Sequence, residues 1–194
     1  MKNLVMLAFC FAVVFSASNV YGAEPQTQKG AKSLFFGLGG LNELSFDNTT
    51  VGAQYNISDN MGIWCDLGFQ SNTSKANENA TEVKGSMVEF NVGVLFYVFQ
   101  KGPVAAYFSP QIGIGTGGSE TGNVKHSKSE FTGGVSIGAE WWAFDGVSLT
   151  ASTLIGFTST TITDENGSNK TEATSSQIGF LGAANSKFLV SFYF

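Results

Sequence analysis

The chain has 194 residues, which indicates about one domain, and a formal net charge of −5. Glycine occurs 24 times and phenylalanine 18 times, while charged residues make up 13% of the chain, about half of the usual share. The aromatic content is too high for a disordered protein. An acidic balance, with ten lysines and no arginine, excludes the basic surface that nucleic-acid binding needs.

Residues 1–23 have the pattern of a secretory signal peptide. Lys2 supplies the positive start, an apolar run follows, and the small residues Gly22 and Ala23 offer a cleavage site. The apolar run is too short for a membrane-spanning helix, which needs about 20 residues. Removal of the signal leaves Cys65 as the single cysteine, so we expect no internal disulfide.

The rest of the chain alternates with a period of two residues. Between Met87 and Phe99, valine and phenylalanine fill one face, whereas the other face is mixed and carries glycine, asparagine and glutamate. Such a face predicts a β-strand and not a helix. The same pattern predicts further strands at residues 33–41, 51–57, 63–70, 104–115, 131–144 and 147–158. The eighth strand ends at residue 194, and its pattern continues back to residue 177 unless a bulge near residues 183–186 interrupts it.

Short and long connections alternate between the predicted strands. Tight turns are expected at residues 58–60, 100–103 and 145–146, where Gly, Pro, Asn and Asp gather. Long polar loops are expected at residues 72–86, 117–130 and 160–175, and these carry most of the charge. The first connection, residues 42–48, is also short.

The two faces of the strands decide where the apolar side chains point. Eight strands enclose too narrow an interior for this many phenylalanine and tryptophan side chains. If the apolar face points outward it needs lipid, and in lipid every backbone amide must be paired, so the sheet must close. The sequence therefore predicts an all-β fold, an eight-stranded antiparallel up-and-down transmembrane β-barrel over residues 33–194.

The C-terminal residues resemble the insertion signal of bacterial outer-membrane β-barrels, which the barrel-assembly machinery reads. Its residues share one strand face and end in phenylalanine: Phe188, Val190, Phe192 and Phe194. The passage from Tyr55 to Ile63 resembles the second strand, short turn and third strand of the small eight-stranded outer-membrane barrels. The chain thus resembles the family that includes opacity-like and OmpX-like proteins.

The resemblance implies a location and a set of partners. The expected location is the outer membrane of a Gram-negative bacterium, with residues 24–32 as a short periplasmic tail. The expected partners are outer-membrane lipid and lipopolysaccharide, the barrel-assembly machinery during insertion, and a surface ligand reached through loops 72–86, 117–130 and 160–175.

Four charged residues fall on the predicted lumen face: Asp66, Glu89, Glu140 and Lys187. We expect Lys187 to pair with Glu140 or Asp66 and to help fill the barrel, because buried charges need partners. The alternative is that water in the lumen hydrates each charge separately.

Residues with catalytic potential are few. His126 is the one histidine, Ser127 follows it, and Glu130 and Glu140 come later. Some outer-membrane barrels are lipid-modifying hydrolases with serine, histidine and a carboxylate, but such a site needs all three within hydrogen-bond reach. We therefore predict no enzyme, no cofactor and no metal site, since one histidine cannot build a His-rich centre.

Two functions follow from the predicted barrel. The first is a structural or surface-interaction (adhesion-type) role, with a largely filled lumen and contacts made through the extracellular loops. The alternative is a narrow pore for small solutes, which the glycines on the lumen face favour. A lipid-modifying enzyme is the third and weakest interpretation.

Overall fold

The structure is a computed structural model that describes residues 22–39, 48–74, 83–121, 124–166, 169–180 and 186–194. In these ranges the chain forms antiparallel strands: β1 (Lys32–Gly39), β2 (Asn48–Ser58), β3 (Met61–Ser74), β4 (Val83–Lys101), β5 (Val104–Thr121), β6 (Val124–Phe144), β7 (Val147–Asn166), β8 (Asn169–Phe180) and β9 (Lys187–Tyr193). No helix in this part of the chain is long and apolar enough to cross a membrane.

The strands close into a ring. Each of β1 to β7 pairs antiparallel with the next, β9 pairs with the lower half of β7, and β9 also pairs with β1. The last pairing runs from Ser33 opposite Tyr193 to Gly39 opposite Lys187. This confirms the predicted all-β, antiparallel, up-and-down barrel.

Alternate side chains point into the ring and away from it, as the pleat of a β-strand requires. On β3, Asp66 and Gly68 are buried, while Leu67 and Phe69 are more than 40% exposed. Large apolar side chains cover the outside on every strand of the ring, among them Phe36, Tyr55, Ile63, Phe90, Ile114, Ile137, Phe157 and Phe188. Apolar residues therefore form the exterior, while the lumen face carries small and polar residues together with a smaller set of buried apolar and aromatic side chains.

The predicted long loops are wrong over most of their length, because the strands continue into them. β5 runs to Thr121, β6 begins at Val124, β7 runs to Asn166 and β8 begins at Asn169. These segments are rich in Ser and Thr on both faces, so hydrophobic alternation disappears although the backbone still pairs. β-branched threonine suits a strand whose two faces are both hydrated.

The eighth position of the ring is shared by two strands. β8 pairs with the upper part of β7, from Ile155 opposite Phe180 to Asn166 opposite Asn169, and β9 pairs with the lower part. Gly179, next to the end of β8, has a φ of 132°, which a residue with a side chain rarely adopts. In place of one predicted strand over residues 177–194, the described residues form the end of β8 at Phe180 and the separate strand β9 from Lys187.

Some predictions fall outside the described residues. These are most of the predicted signal peptide (residues 1–21), most of the first connection (residues 42–47), residues 75–82 of the first long loop, and residues 183–185 of the predicted bulge.

Glycine on the lumen face makes room for a large neighbour. A Cβ atom at Gly93 would lie 2.7 Å from Cε2 of Trp64 and 2.8 Å from the carbonyl oxygen of Pro110. Those distances are too short for carbon contacts, and a displaced indole would disturb the packing of the lumen.

We predict that Gly93→Ala lowers the free energy of unfolding by about 1–3 kcal/mol, since overpacking a filled interior forces side chains to shift. Gly68→Ala is the matched control, because its Cβ would meet the nearest atom, Cβ of Glu89, at 3.4 Å. Urea unfolding in detergent measures both variants. Equal losses in the two variants would contradict the packing argument.

Candidate functional site in the barrel lumen

The lower lumen, at the end of the tight turns, is closed by a buried apolar and aromatic cluster. Its members are Leu95, Tyr97, Ala105, Tyr107 and Trp142, with Trp64 and Tyr193 packed against it. The ring of Tyr97 lies 6.2 Å from those of Tyr107 and Trp142, and both contacts are inclined as aromatic pairs prefer. The sequence places these bulky residues on lumen positions of neighbouring strands, so they meet across a narrow interior.

Glu140 lies at the centre of this cluster and is 2% exposed. Its carboxyl group accepts hydrogen bonds from the hydroxyl of Tyr97 at 2.7 Å, from that of Tyr193 at 2.8 Å, and from Ser148. Tyr97 lies on β4 and Tyr193 on β9, neither of which pairs with β6, whereas Ser148 lies on the adjacent strand β7. Two of the three hydrogen bonds therefore connect strands that are not neighbours. A buried carboxyl group is stable only with such partners.

Above Glu140, Asp66 on β3 and Lys187 on β9 connect two strands that are three positions apart in the ring. Nζ of Lys187 lies 2.5 Å from Oδ2 of Asp66, and the Asn91 amide donates to Oδ1 of Asp66 at 2.8 Å. The ammonium also lies 5.6 Å from the centroid of the Trp64 ring, within cation–π distance. Lys187 therefore pairs with Asp66, one of its two expected partners. The other, Glu140, is hydrogen-bonded to hydroxyl groups instead.

Little empty volume is left between these groups. A cavity of about 40 Å³ lies among Gln54, Trp64, Tyr107 and Thr150, bordered by both acids and Lys187. Such a polar cavity has room for a few water molecules, since one molecule needs at least about 10–15 Å³. Among the residues described, the aromatic cluster, Glu140 and the Asp66–Lys187 pair therefore occupy most of the lower lumen.

The upper lumen holds the fourth predicted charge. Glu89 lies beside Gly115, whose other neighbour across the sheet is Glu130. Lys128 lies 2.8 Å from Glu130, and Thr160 donates to the same carboxylate oxygen at 3.2 Å. This group is more open than the lower lumen, and a recess of about 220 Å³ lies above it, lined by Met87, Gly117, His126 and Ile162.

His126 and Ser127 do not form a catalytic pair. His126 Nδ1 lies 2.6 Å from Asp164, but Ser127 is the next residue in the strand and therefore points to the opposite face of the sheet. Glu140 is held by its hydroxyl partners in the lower lumen, far along β6. No cluster of three metal-ligating side chains occurs among the described residues.

The predicted C-terminal signal residues lie on the outside of the barrel. Phe188 and Phe192 are exposed on the apolar exterior, Val190 is half-buried there, and Phe194 is 77% exposed just beyond β9. Cys65 also lies on this exterior as a free thiol.

Sequence reasoning missed the hydrogen-bond partners of the lumen acids. The period-two pattern places three of these partners on the lumen face: Tyr97, Asn91 and Ser148. Their contacts with the acids could not be predicted, because those contacts depend on the stagger between strands. Tyr193 also shares the face of Lys187 on the predicted last strand, but its contact with Glu140 depends on the same stagger. Lys128 and Glu130 were placed in a loop and are strand residues.

Comparison with known proteins gives a fold and no family assignment. No family model matches the sequence, and no curated protein matches it either. The chain is similar in structure to a major outer membrane protein from Thermus thermophilus, with a TM-score of 0.50, 14% identity, and coverage of 85% of this chain and 99% of that chain.

The fold is that of an outer-membrane β-barrel. Two further solved structures score slightly lower. They are the N-terminal β-barrel domain of Pseudomonas aeruginosa OprF, with a TM-score of 0.49, 11% identity and coverage of 86% and 98% of the two chains, and AlkL in DMPC bilayers, with a TM-score of 0.49, 12% identity and coverage of 91% and 95%.

We predict that Lys187→Met lowers the free energy of unfolding by about 3 kcal/mol, because it leaves the buried Asp66 carboxylate without its cation. The double variant Asp66→Asn with Lys187→Met should recover much of this loss. Lys170→Met is the control, because Lys170 and Glu165 form an exposed pair at 4.0 Å that contributes little. Additive losses in the double variant would show that the two groups do not interact.

Proposed function

We propose that the protein is an integral outer-membrane β-barrel with a largely filled lumen. In this proposal it has a structural or surface-interaction role, carried by the strands that rise above the lipid. The alternative function is a narrow pore for small solutes, and the conductance experiment below distinguishes it from the surface role. The finer resemblance to opacity-like and OmpX-like barrels belongs to the same proposal.

The observation that carries the proposal is the set of contacts across the lumen. Asp66 on β3 meets Lys187 on β9, and Glu140 on β6 meets Tyr97 on β4 and Tyr193 on β9. A solute would have to break these contacts and also displace the aromatic cluster below them. A barrel whose interior does not conduct acts through its outer surfaces.

The exterior supports a location in lipid. Contiguous apolar patches of more than a few hundred Å² are rare on soluble monomers, and this exterior carries apolar side chains around the whole ring. The barrel fold and the expected export signal support the outer membrane, with lipid and lipopolysaccharide as contacts. The aligned apolar residues of β9 support recognition by the assembly machinery.

The upper strands support contact with another surface. β5, β6 and β7 are 18, 21 and 20 residues long, whereas about 9–11 residues are enough to cross a bilayer. Among the residues described, the wall that extends beyond this length is formed by β4 to β7. In this proposal the strand extension is part of the surface offered to the medium.

The lipid-modifying enzyme is disfavoured by the direction of its candidate residues. Ser127 and His126 are consecutive residues of β6 and lie on opposite faces, so the imidazole of His126 is directed away from the hydroxyl of Ser127. We propose a non-enzymatic role.

We predict that the refolded protein gives no stable single-channel conductance in a planar bilayer, because the aromatic cluster, Glu140 and the Asp66–Lys187 pair occupy most of the lower lumen. The double variant Asp66→Asn with Lys187→Met serves as a comparison in which the charged crossing is removed while the barrel is kept. Reproducible conductance steps in the unchanged protein would favour the pore.

We predict that removal of residues 162–173, joined by Asn-Gly between Thr161 and Thr174, abolishes adhesion by cells that display the barrel. Thr161 lies opposite Thr174, so the shortened hairpin keeps its register. The control keeps the length and composition of this segment in scrambled order. Adhesion to immobilised lipopolysaccharide and to a cell layer is measured, and undiminished adhesion by the shortened form would contradict the surface role.

A further inference from the structure

The segment that precedes β1 crosses the mouth of the barrel at the end of the tight turns. At one end, the backbone nitrogen of Ala23 donates to the carbonyl oxygen of Trp142 on β6 at 2.9 Å, and cleavage after Gly22, one of the two sites that the sequence offers, keeps Ala23 as the first residue of the mature chain. At the other end, Gly30 NH donates to the carbonyl oxygen of Asn56 on β2 at 2.8 Å. In an eight-position ring, the second and sixth strands stand opposite each other, so residues 23–31 bridge the whole opening. We call this segment the strap.

The strap is held between its ends as well. Thr27 is 7% exposed and donates to the side chain of Gln100, at the end of β4, at 3.3 Å. Lys29 NH donates to the carboxylate of Asp59 in the first tight turn at 3.0 Å. Ala23 packs against the aromatic cluster that closes the lower lumen. The strap therefore contacts β2, β4 and β6, and it also packs against the aromatic cluster of the lower lumen.

Asn56 is the main attachment point of the strap. It is fully buried, its side-chain amide donates to the carbonyl oxygen of Gln26 at 2.9 Å, and its backbone NH donates to that of Ala31 at 2.9 Å. Its side-chain oxygen accepts a hydrogen bond from Gln54, which in turn donates to Tyr97. Asn56 thus links the strap to the hydrogen-bond network around Glu140.

We propose that the strap, residues 23–31, closes the periplasmic mouth of the barrel and that Asn56 holds it in place. The inference goes beyond the surface role, because it concerns the opposite end of the molecule and holds whatever the upper strands bind. It gives the lumen a second closure, separate from the Asp66–Lys187 pair. Solutes on that side meet the strap before they meet the lumen network.

Trypsin tests whether the strap is held. Lys29 offers a cleavage site within it, and a protease needs the segment to leave the mouth before it can cut. We expect the purified, refolded barrel to resist cleavage after Lys29. Asn56→Asp removes the donor to Gln26 and should raise the cleavage rate roughly tenfold or more. Asn60→Asp is the matched control, because the side chain of Asn60 contacts Ser58 and not the strap.

A second pair of variants lies within the strap and leaves every strand intact. Thr27→Glu places a charge at a buried position and should speed cleavage, whereas Gln28→Glu at the neighbouring exposed position should not. Intact-mass measurement reports the loss of the residues up to Lys29. Rapid cleavage of the unchanged protein, or equal cleavage rates in all variants, would contradict the proposal that Asn56 and Thr27 hold the strap at the mouth.

Closure of the mouth is tested by labelling beneath the strap. Ala105 is fully buried in the cluster against which Ala23 packs, so Ala105→Cys in a Cys65→Ala background reports access to that site. We expect slow reaction with a water-soluble thiol reagent, and at least tenfold faster reaction after deletion of residues 24–30. Circular dichroism verifies that the deleted form keeps its strands. Equal labelling rates in folded forms with and without the strap would overturn the proposal.

Discussion

The structure depends on the need to pair every backbone amide where water is absent. A sheet with apolar side chains on its outside can be stable in lipid only if it has no open edge, because each unpaired amide would cost several kcal/mol. β9 meets this requirement by pairing with β7 on one side and β1 on the other. Strand tilt, the narrow lumen and the choice of lumen residues all follow from closing so few strands into a ring.

The closed ring then determines what its interior can hold. Tryptophan and tyrosine fit in the lower lumen only because glycine stands opposite them, as Gly93 does for Trp64 and Gly138 for Tyr107. The remaining polar groups must satisfy one another, and Glu140 and Asp66 do so through partners on distant strands. Packing and hydrogen bonding therefore close the lumen together, and the strap below adds a third contribution at the mouth.

The period-two pattern was sufficient to predict which face of each strand meets lipid, because apolar and small residues separate cleanly between Met87 and Phe99. It failed above the lipid, where consecutive residues such as Thr160 and Thr161 point to opposite faces and are both polar, so that only backbone pairing shows the strand. It placed the lumen charges on the correct face but could not choose between Asp66 and Glu140 for Lys187, because that choice depends on the stagger between strands. The strap was beyond reach, since its contacts are mostly with backbone groups and leave no residue pattern.

The pairing of β1 with β9 has a consequence for how the barrel folds. The other neighbouring strands in the ring follow each other in the chain or, in the case of β7 and β9, are separated by one strand. In contrast, Ser33 pairs with Tyr193 from the far end of the sequence. Contacts between such distant residues carry the largest loop-closure entropy and form slowly. The hairpins can therefore assemble early, and the kinetic barrier to the native state is concentrated at one short seam of seven residue pairs.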